Sequence, residues 1–179
     1  MLQPKFRFVN FKSHLMAHSI SKKLLKTLVV ARGLQYSYIF QPAQGTNATF
    51  LLLHGFPSSA YDWRHQVDDL TAAGYGVLVP DLLGYGGTDK PSSIEAYSYL
   101  NQSTDLLEVL QEEKLTTVIG VGHDWGSNLL ARFMNYHPTF FSAGVFLSSP
   151  YRGPEHLDLG IETKRCVETK NALIRSRLP

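Results

Sequence analysis

Three short apolar runs, "ATFLLLH" (48–54), "YGVLVP" (75–80) and "TTVIGVG" (116–122), constrain this chain most. None alternates polar and apolar residues, so each reads as a strand buried on both faces. Between them lie helical stretches. "SSAYDWRHQVDDLTAAG" (58–74) starts on serines and ends in glycine, and "EAYSYLNQSTDLLEVLQEEK" (95–114) carries a long helical period. "SNLLARFMNYHP" (127–138) is a third helix, stopped by Pro138, and "SAGVFLSSP" (142–150) is one more strand. "KTLVVARGLQYSYIF" (26–40) reads as an antiparallel hairpin turning at Arg32 and Gly33. Strands that alternate with helices define the α/β class, a mostly parallel sheet covered by helices on both faces. Ligands of such sheets bind beyond the carboxyl ends of the strands. The segment His54, Gly55, Phe56, Pro57 falls there, as do Asp81 and Asp124. Three candidate segments therefore converge on one edge of the sheet.

"GHDWGS" (122–127) follows a strand and opens a helix. Gly122 and Gly126 flank Asp124 at two residues on either side, where a tight strand-to-helix turn leaves no room for a Cβ. Such an elbow holds the middle side chain out into solvent, and the helix N-terminus favours its ionised form. An ionised carboxylate can attack an sp3 carbon and displace an alkoxide or halide, leaving an alkyl ester on the enzyme. The plainer reading is that Asp124 caps the helix. "HGFP" (54–57) shifts the balance: its turn aims the Phe56 N–H into the cleft, and Pro57 stiffens it. With the N–H of Trp125 this makes a two-donor oxyanion site. Asp81 reads as a loop organiser that accepts N–H bonds, and "GYGG" (84–87) as a tight loop rather than a phosphate cradle. Trp63, Arg64 and His65 read as packing or pairing residues, and His123 as a packing residue turned away from the site.

Composition excludes several classes. A chain of 179 residues with 44% hydrophobic content builds one domain with a real core. A net charge of +2 argues against nucleic acid as a partner. One cysteine, Cys166, permits no internal disulfide and fits a reducing compartment. No apolar run approaches the roughly 20 residues of a membrane span, and no CxxC or HExxH spacing suggests a metal. No Asp or Glu precedes Asp62, while Lys5, Arg7, Lys12, Lys22, Lys23, Lys26 and Arg32 do. That bias allows a mitochondrial targeting segment. A short tail on a cytoplasmic protein is the expected reading, with the mitochondrion as the alternative. Residues 19 to 30 read as a lead-in to the sheet rather than a membrane-surface helix.

The segments "LLLHGFPSSAYDWRHQ", "GYGVLVPDLLGYGGTDKP" and "VIGVGHDWGS" resemble the epoxide hydrolase branch of the α/β-hydrolase fold family, in family order and over roughly residues 26 to 158. The aspartate elbow sets them apart from the serine esterases of that fold. Haloalkane dehalogenases share it, but HGFP with GHDWG is closer to the epoxide hydrolases. The resemblance implies attack by Asp124 on an epoxide, an oxyanion held by the N–H groups of Phe56 and Trp125, and a vicinal diol product without any cofactor. Ser127 stands where many relatives have a second glycine.

The resemblance also implies a histidine base, an acid partner and cap tyrosines, and these find no matching positions. His137 reads as a helix terminator, His156 lies where the cap begins, and Tyr151 comes too early. The expected layout is a basic extension over 1–19, a partial hydrolase domain over 20–158 and a divergent polar tail over 159–179. Met16 is a plausible initiator, and the likeness ends near Gly160. The expected function is an epoxide hydrolase impaired as written, against a haloalkane dehalogenase-like enzyme or a non-catalytic truncated product. The sheet is expected to end on an exposed apolar edge, "SAGVFLSSP".

Overall fold

The computed structural model describes residues 24–151 and 153. Six strands form one sheet: β1 (Leu25–Val29), β2 (Gln35–Gln41), β3 (Thr49–Leu53), β4 (Gly76–Pro80), β5 (Val118–His123) and β6 (Phe141–Leu147), in the order β1-β2-β4-β3-β5-β6. The β1–β2 hairpin and the β2–β4 pair are antiparallel, and β4, β3, β5 and β6 run parallel. The hairpin turns at Gly33, whose φ of 76° lies in the left-handed region that glycine enters freely.

Residue parity along the central strands explains the layers. Leu51, Leu53 and Leu78 face α2 (Tyr99–Glu112) and α3 (Trp125–Tyr136), in one core with Leu106, Val109, Leu110, Leu129, Leu130 and Phe133. The alternate positions Leu52, Val77 and Val79 face the other way and pack against Trp63 and Val67. Val67 lies on α1 (Arg64–Ala72). Strands buried on both faces cannot alternate polar and apolar residues, and these do not. Each fully buried leucine contributes about 1.5–3 kcal/mol on leaving water.

All three helices differ from the expected spans. The segment after HGFP opens with a 3-10 turn, Ala60–Trp63, before α1 begins at Arg64. Ser59 caps that turn by accepting the Tyr61 N–H. The second segment is likewise split: a 3-10 turn (Ile94–Tyr97) ends at Ser98, whose hydroxyl accepts the Asn101 N–H and starts α2. α3 begins at Trp125, two residues earlier than its polar-to-apolar pattern suggests.

The hairpin is fastened to α2 by three acids. Asp105, fully buried, pairs with Arg32 Nε at 2.9 Å and accepts the Tyr36 hydroxyl at 2.9 Å. Glu108 accepts the Ala31 N–H at 2.7 Å. Glu113, just past the end of α2, pairs with Lys26 and accepts the Tyr38 hydroxyl at 2.7 Å. The far edge is different. β6 pairs only with β5 in the described sheet, and Val145 and Leu147 remain 43% and 41% exposed.

Candidate active site

Asp124 sits where β5 becomes α3. Its backbone takes φ 54° and ψ −118°, a conformation that costs a non-glycine residue of order 1–3 kcal/mol. The surroundings enforce it. A Cβ on Gly122 would lie 2.6 Å from Ser127 Cα, and one on Gly126 would lie 2.3 Å from the Leu53 carbonyl oxygen. Both obstacles are backbone and cannot swing aside. The Asp124 N–H donates to the Leu147 carbonyl at 3.0 Å, and its own carbonyl accepts the Ser127 N–H at 3.0 Å. The Asp124 side chain makes no N-cap hydrogen bond of the usual kind, to the second or third residue of α3, so the helix-cap reading fails.

The carboxylate instead faces the turn after β3. The Phe56 N–H donates to Asp124 Oδ1 at 3.0 Å. That bond first, and the Trp125 N–H second, hold the Asp124 carboxyl below the usual carboxylate range. Gly55 makes the approach possible, because a Cβ there would lie 2.6 Å from Asp124 Cβ. The Phe56–Pro57 peptide is cis. Phe56 and Trp125, the two residues that supply those donors, are themselves 63% and 56% exposed.

His54 and Asp81 bind the supporting loops together. His54 is buried, with Nδ1 2.9 Å from the Gly55 carbonyl, and Nε2 accepts the Leu82 N–H at 3.0 Å. Nε2 as acceptor places the proton on Nδ1. Burial pushes the imidazole pKa down and keeps the ring neutral. Asp81 accepts the N–H groups of Ala60 at 2.8 Å and Gly87 at 2.9 Å, joining the turn before α1 to the glycine loop. Gly86, with φ 47°, passes so close that a Cβ there would lie 2.1 Å from Asp81 Oδ2.

One residue departs from expectation. His123 is exposed at the end of β5 and is not packed. Its position beside a strained elbow, at the last pair of the β5–β6 ladder, lifts it out of the core. Ser127 is fully buried, and its hydroxyl lies 2.7 Å from the Gly122 carbonyl and 3.0 Å from that of Leu147. It ties β5 and β6 together behind the elbow, a role that a glycine lacks. Thr88 was equally unmarked: buried, it donates to the Asp81 carbonyl at 2.6 Å and accepts the Ser37 N–H at 2.9 Å. Trp63 packs in the α1-side core, and Arg64 lies over the Tyr61 ring. His137 ends α3 with its ring edge-on to Phe133. Thirteen residues at about 1.5 Å rise put it roughly 20 Å from Asp124. The Tyr151 hydroxyl donates to Asn135 Oδ1 at 2.5 Å, beside the later turns of α3. His156 and Cys166, with the proposed end segments, lie outside the described residues. Among the described residues no group of three His, Cys, Asp or Glu side chains is placed to hold a metal, and no helix is long and apolar enough to cross a membrane.

A strand-to-helix elbow carrying a carboxylate, at the carboxyl edge of a mostly parallel sheet, defines a hydrolase class. The chain belongs to the alpha/beta hydrolase fold family, whose model matches residues 48–170. That match runs ten residues past Gly160, where the motif likeness ends. The chain is similar to Epoxide hydrolase 3 of Siraitia grosvenorii, 44% identical over 104 residues, which are 58% of this chain and 33% of that protein. It is 42% identical over 100 residues to Epoxide hydrolase A of Mycobacterium tuberculosis, covering 56% of this chain and 31% of that one. Among solved structures it resembles Epoxide Hydrolase A from Mycobacterium thermoresistibile, with TM-score 0.69 and 31% identity, over 80% of this chain and 44% of that chain. The chain thus spans about a third of the length of the curated relatives it matches.

Proposed function

We propose that the chain carries the nucleophile segment of an enzyme that opens epoxides to vicinal diols through an ester on Asp124. The observation that carries this is the Asp124 carboxylate, ionised on a strained elbow, with Oδ1 on the Phe56 N–H. Oδ2 forms the bond to the less hindered epoxide carbon, and the epoxide C–O bond breaks. Its electron pair stays on the departing oxygen, which takes a proton from solvent. Oδ1 becomes the ester carbonyl oxygen. When water attacks that ester, the negative charge develops on Oδ1, the oxygen that accepts the Phe56 N–H, with the Trp125 N–H as the second donor to the same carboxylate. Two donors positioned beforehand need no reorganisation as the charge forms.

Release of the diol needs a base to activate that water. His54 has both ring nitrogens engaged in the fold, and His137 lies at the far end of α3. Neither is assigned the role. Among the described residues no base is assigned, His156 lies outside them, and the ester on the described site is expected to persist. The relatives' printed names favour an epoxide over a haloalkane as the electrophile. Intact mass spectrometry after exposure to styrene oxide tests the reading. One added epoxide mass is expected on the chain and its absence in Asp124→Asn; an equal adduct in the variant would contradict it.

A further inference from the structure

The nucleophile's backbone hangs on the carbonyl of Leu147, the last residue of β6. That carbonyl accepts the Asp124 N–H and faces the Ser127 hydroxyl, each at 3.0 Å. A carbonyl oxygen has two lone pairs, and these two donors use both. The same hydroxyl lies 2.7 Å from the Gly122 carbonyl, so its single proton faces both β5 and β6. The Ser127 N–H donates to the Asp124 carbonyl at 3.0 Å. Ser127 therefore reaches both peptide groups of Asp124, one directly and one through Leu147. Its hydroxyl is buried, and β6 is otherwise held from one side only, by β5. Strain surrounds the same carbonyl. Asp124 at φ 54° and Ser148 at φ 69° are two of the three non-glycine residues with positive φ among the described residues. Such backbone persists only where its surroundings over-determine it.

We propose that Ser127 is a positioning residue for the Asp124 nucleophile: its hydroxyl fixes the Gly122 and Leu147 carbonyls and so holds the elbow that brings the carboxylate to the Phe56 N–H. The proposal rests on Asp124 as the nucleophile. Ser127 touches neither epoxide nor water and takes no part in bond making. Without the hydroxyl, the end of β6 is free to turn, and the elbow relaxes toward commoner backbone angles. The carboxylate then moves off its donors and meets the electrophile less often in line. Binding of the epoxide is untouched. A role confined to stability would lower the unfolding midpoint and leave the chemistry of Asp124 as it was.

Two measurements on the full chain test this in Ser127→Ala and Ser127→Gly. Val67→Ala, in the core under α1, serves as a variant that loses stability away from the elbow. Circular dichroism checks that each folds. The first measurement follows styrene oxide adduct formation by intact mass over a concentration series. A maximal rate lower by about tenfold or more is expected in both Ser127 variants, with the half-saturating concentration unchanged and Val67→Ala unaffected. The second titrates the Asp124 carboxyl by carbon NMR, which needs no epoxide. Of the titratable groups near the elbow, His123 acts on Asp124 and buried His54 stays neutral, and both are present in every variant. A midpoint higher by about one pH unit is expected in the Ser127 variants, and no shift in Val67→Ala. An unchanged maximal rate or an unchanged midpoint in a folded Ser127 variant would overturn the proposal, as would an equal loss in Val67→Ala. If neither Ser127 variant folds, amide exchange in the unsubstituted chain decides. Protected N–H groups at Asp124 and Ser127 are expected, and exchange as fast as in an open loop would sink the proposal. No adduct in any form, alongside the raised midpoint, would overturn the nucleophile and leave the positioning role standing.

Discussion

At the scale of single residues, the elbow turns on what lacks a side chain. Gly122, Gly126 and Gly55 each face backbone or Asp124 at distances that no Cβ tolerates. The carboxylate they frame stays charged because the Phe56 N–H, and then the Trp125 N–H, donate to it. A lowered pKa means the ionised form is present above the folded value and is lost only as pH falls through it. The stability these bonds add follows the same sign. Adduct formation is therefore expected to stay flat from pH 7 down to about 4, the ordinary aspartate value. Initial adduct rates across pH check this, and a fall already complete near pH 5 would contradict it. The motif spacing made this site legible, because glycines two residues either side of an acid leave few other geometries. Ser127 and Thr88 were not legible. A buried hydroxyl satisfied by carbonyls looks in sequence like any surface serine or threonine.

At the scale of elements, the hairpin depends on α2. The Arg32–Asp105 pair is closed to water on the acid side, whereas Lys26 of the Lys26–Glu113 pair is 46% exposed. Burial pushes the Asp105 carboxyl up, opposed by the Tyr36 hydroxyl and by Arg32. Removing the cation leaves a buried carboxylate without its partner, a loss of about 3–5 kcal/mol. Lys26→Ala costs at most about 1 kcal/mol. Urea unfolding of Arg32→Ala and Lys26→Ala checks the order, and equal midpoints would refute it. The signal for Asp105 was present as an acid inside the apolar stripe of Leu106, Val109 and Leu110, but its partner lies 73 residues away in a turn. Helix starts were misplaced for a related reason. Serines at 58, 59 and 98 announce a cap, yet whether the next turn is 3-10 or α depends on packing that a local pattern does not contain.

At the scale of the whole molecule, the parallel sheet and its two covered faces follow from unbroken apolar strands, and the strand reversal at β1–β2 follows from the Arg32–Gly33 turn. Among the described residues the two edges of the sheet differ in character. The β1 edge is charged and clamped, whereas the β6 edge presents Val145 and Leu147. Unpaired apolar edges recruit other strands. Val145→Lys with Leu147→Lys is expected to lower aggregation, read by light scattering over a concentration series, while the thermal midpoint stays within a few degrees. Unchanged scattering would show that association arises elsewhere.

The most direct test of the central claim is to map the styrene oxide adduct by peptide mass spectrometry, with and without hydroxylamine. The account predicts one adduct on the peptide bearing Asp124, removed by hydroxylamine because it is an ester. A hydroxylamine-resistant adduct on Cys166 or a histidine, with Asp124 unmodified, would contradict it.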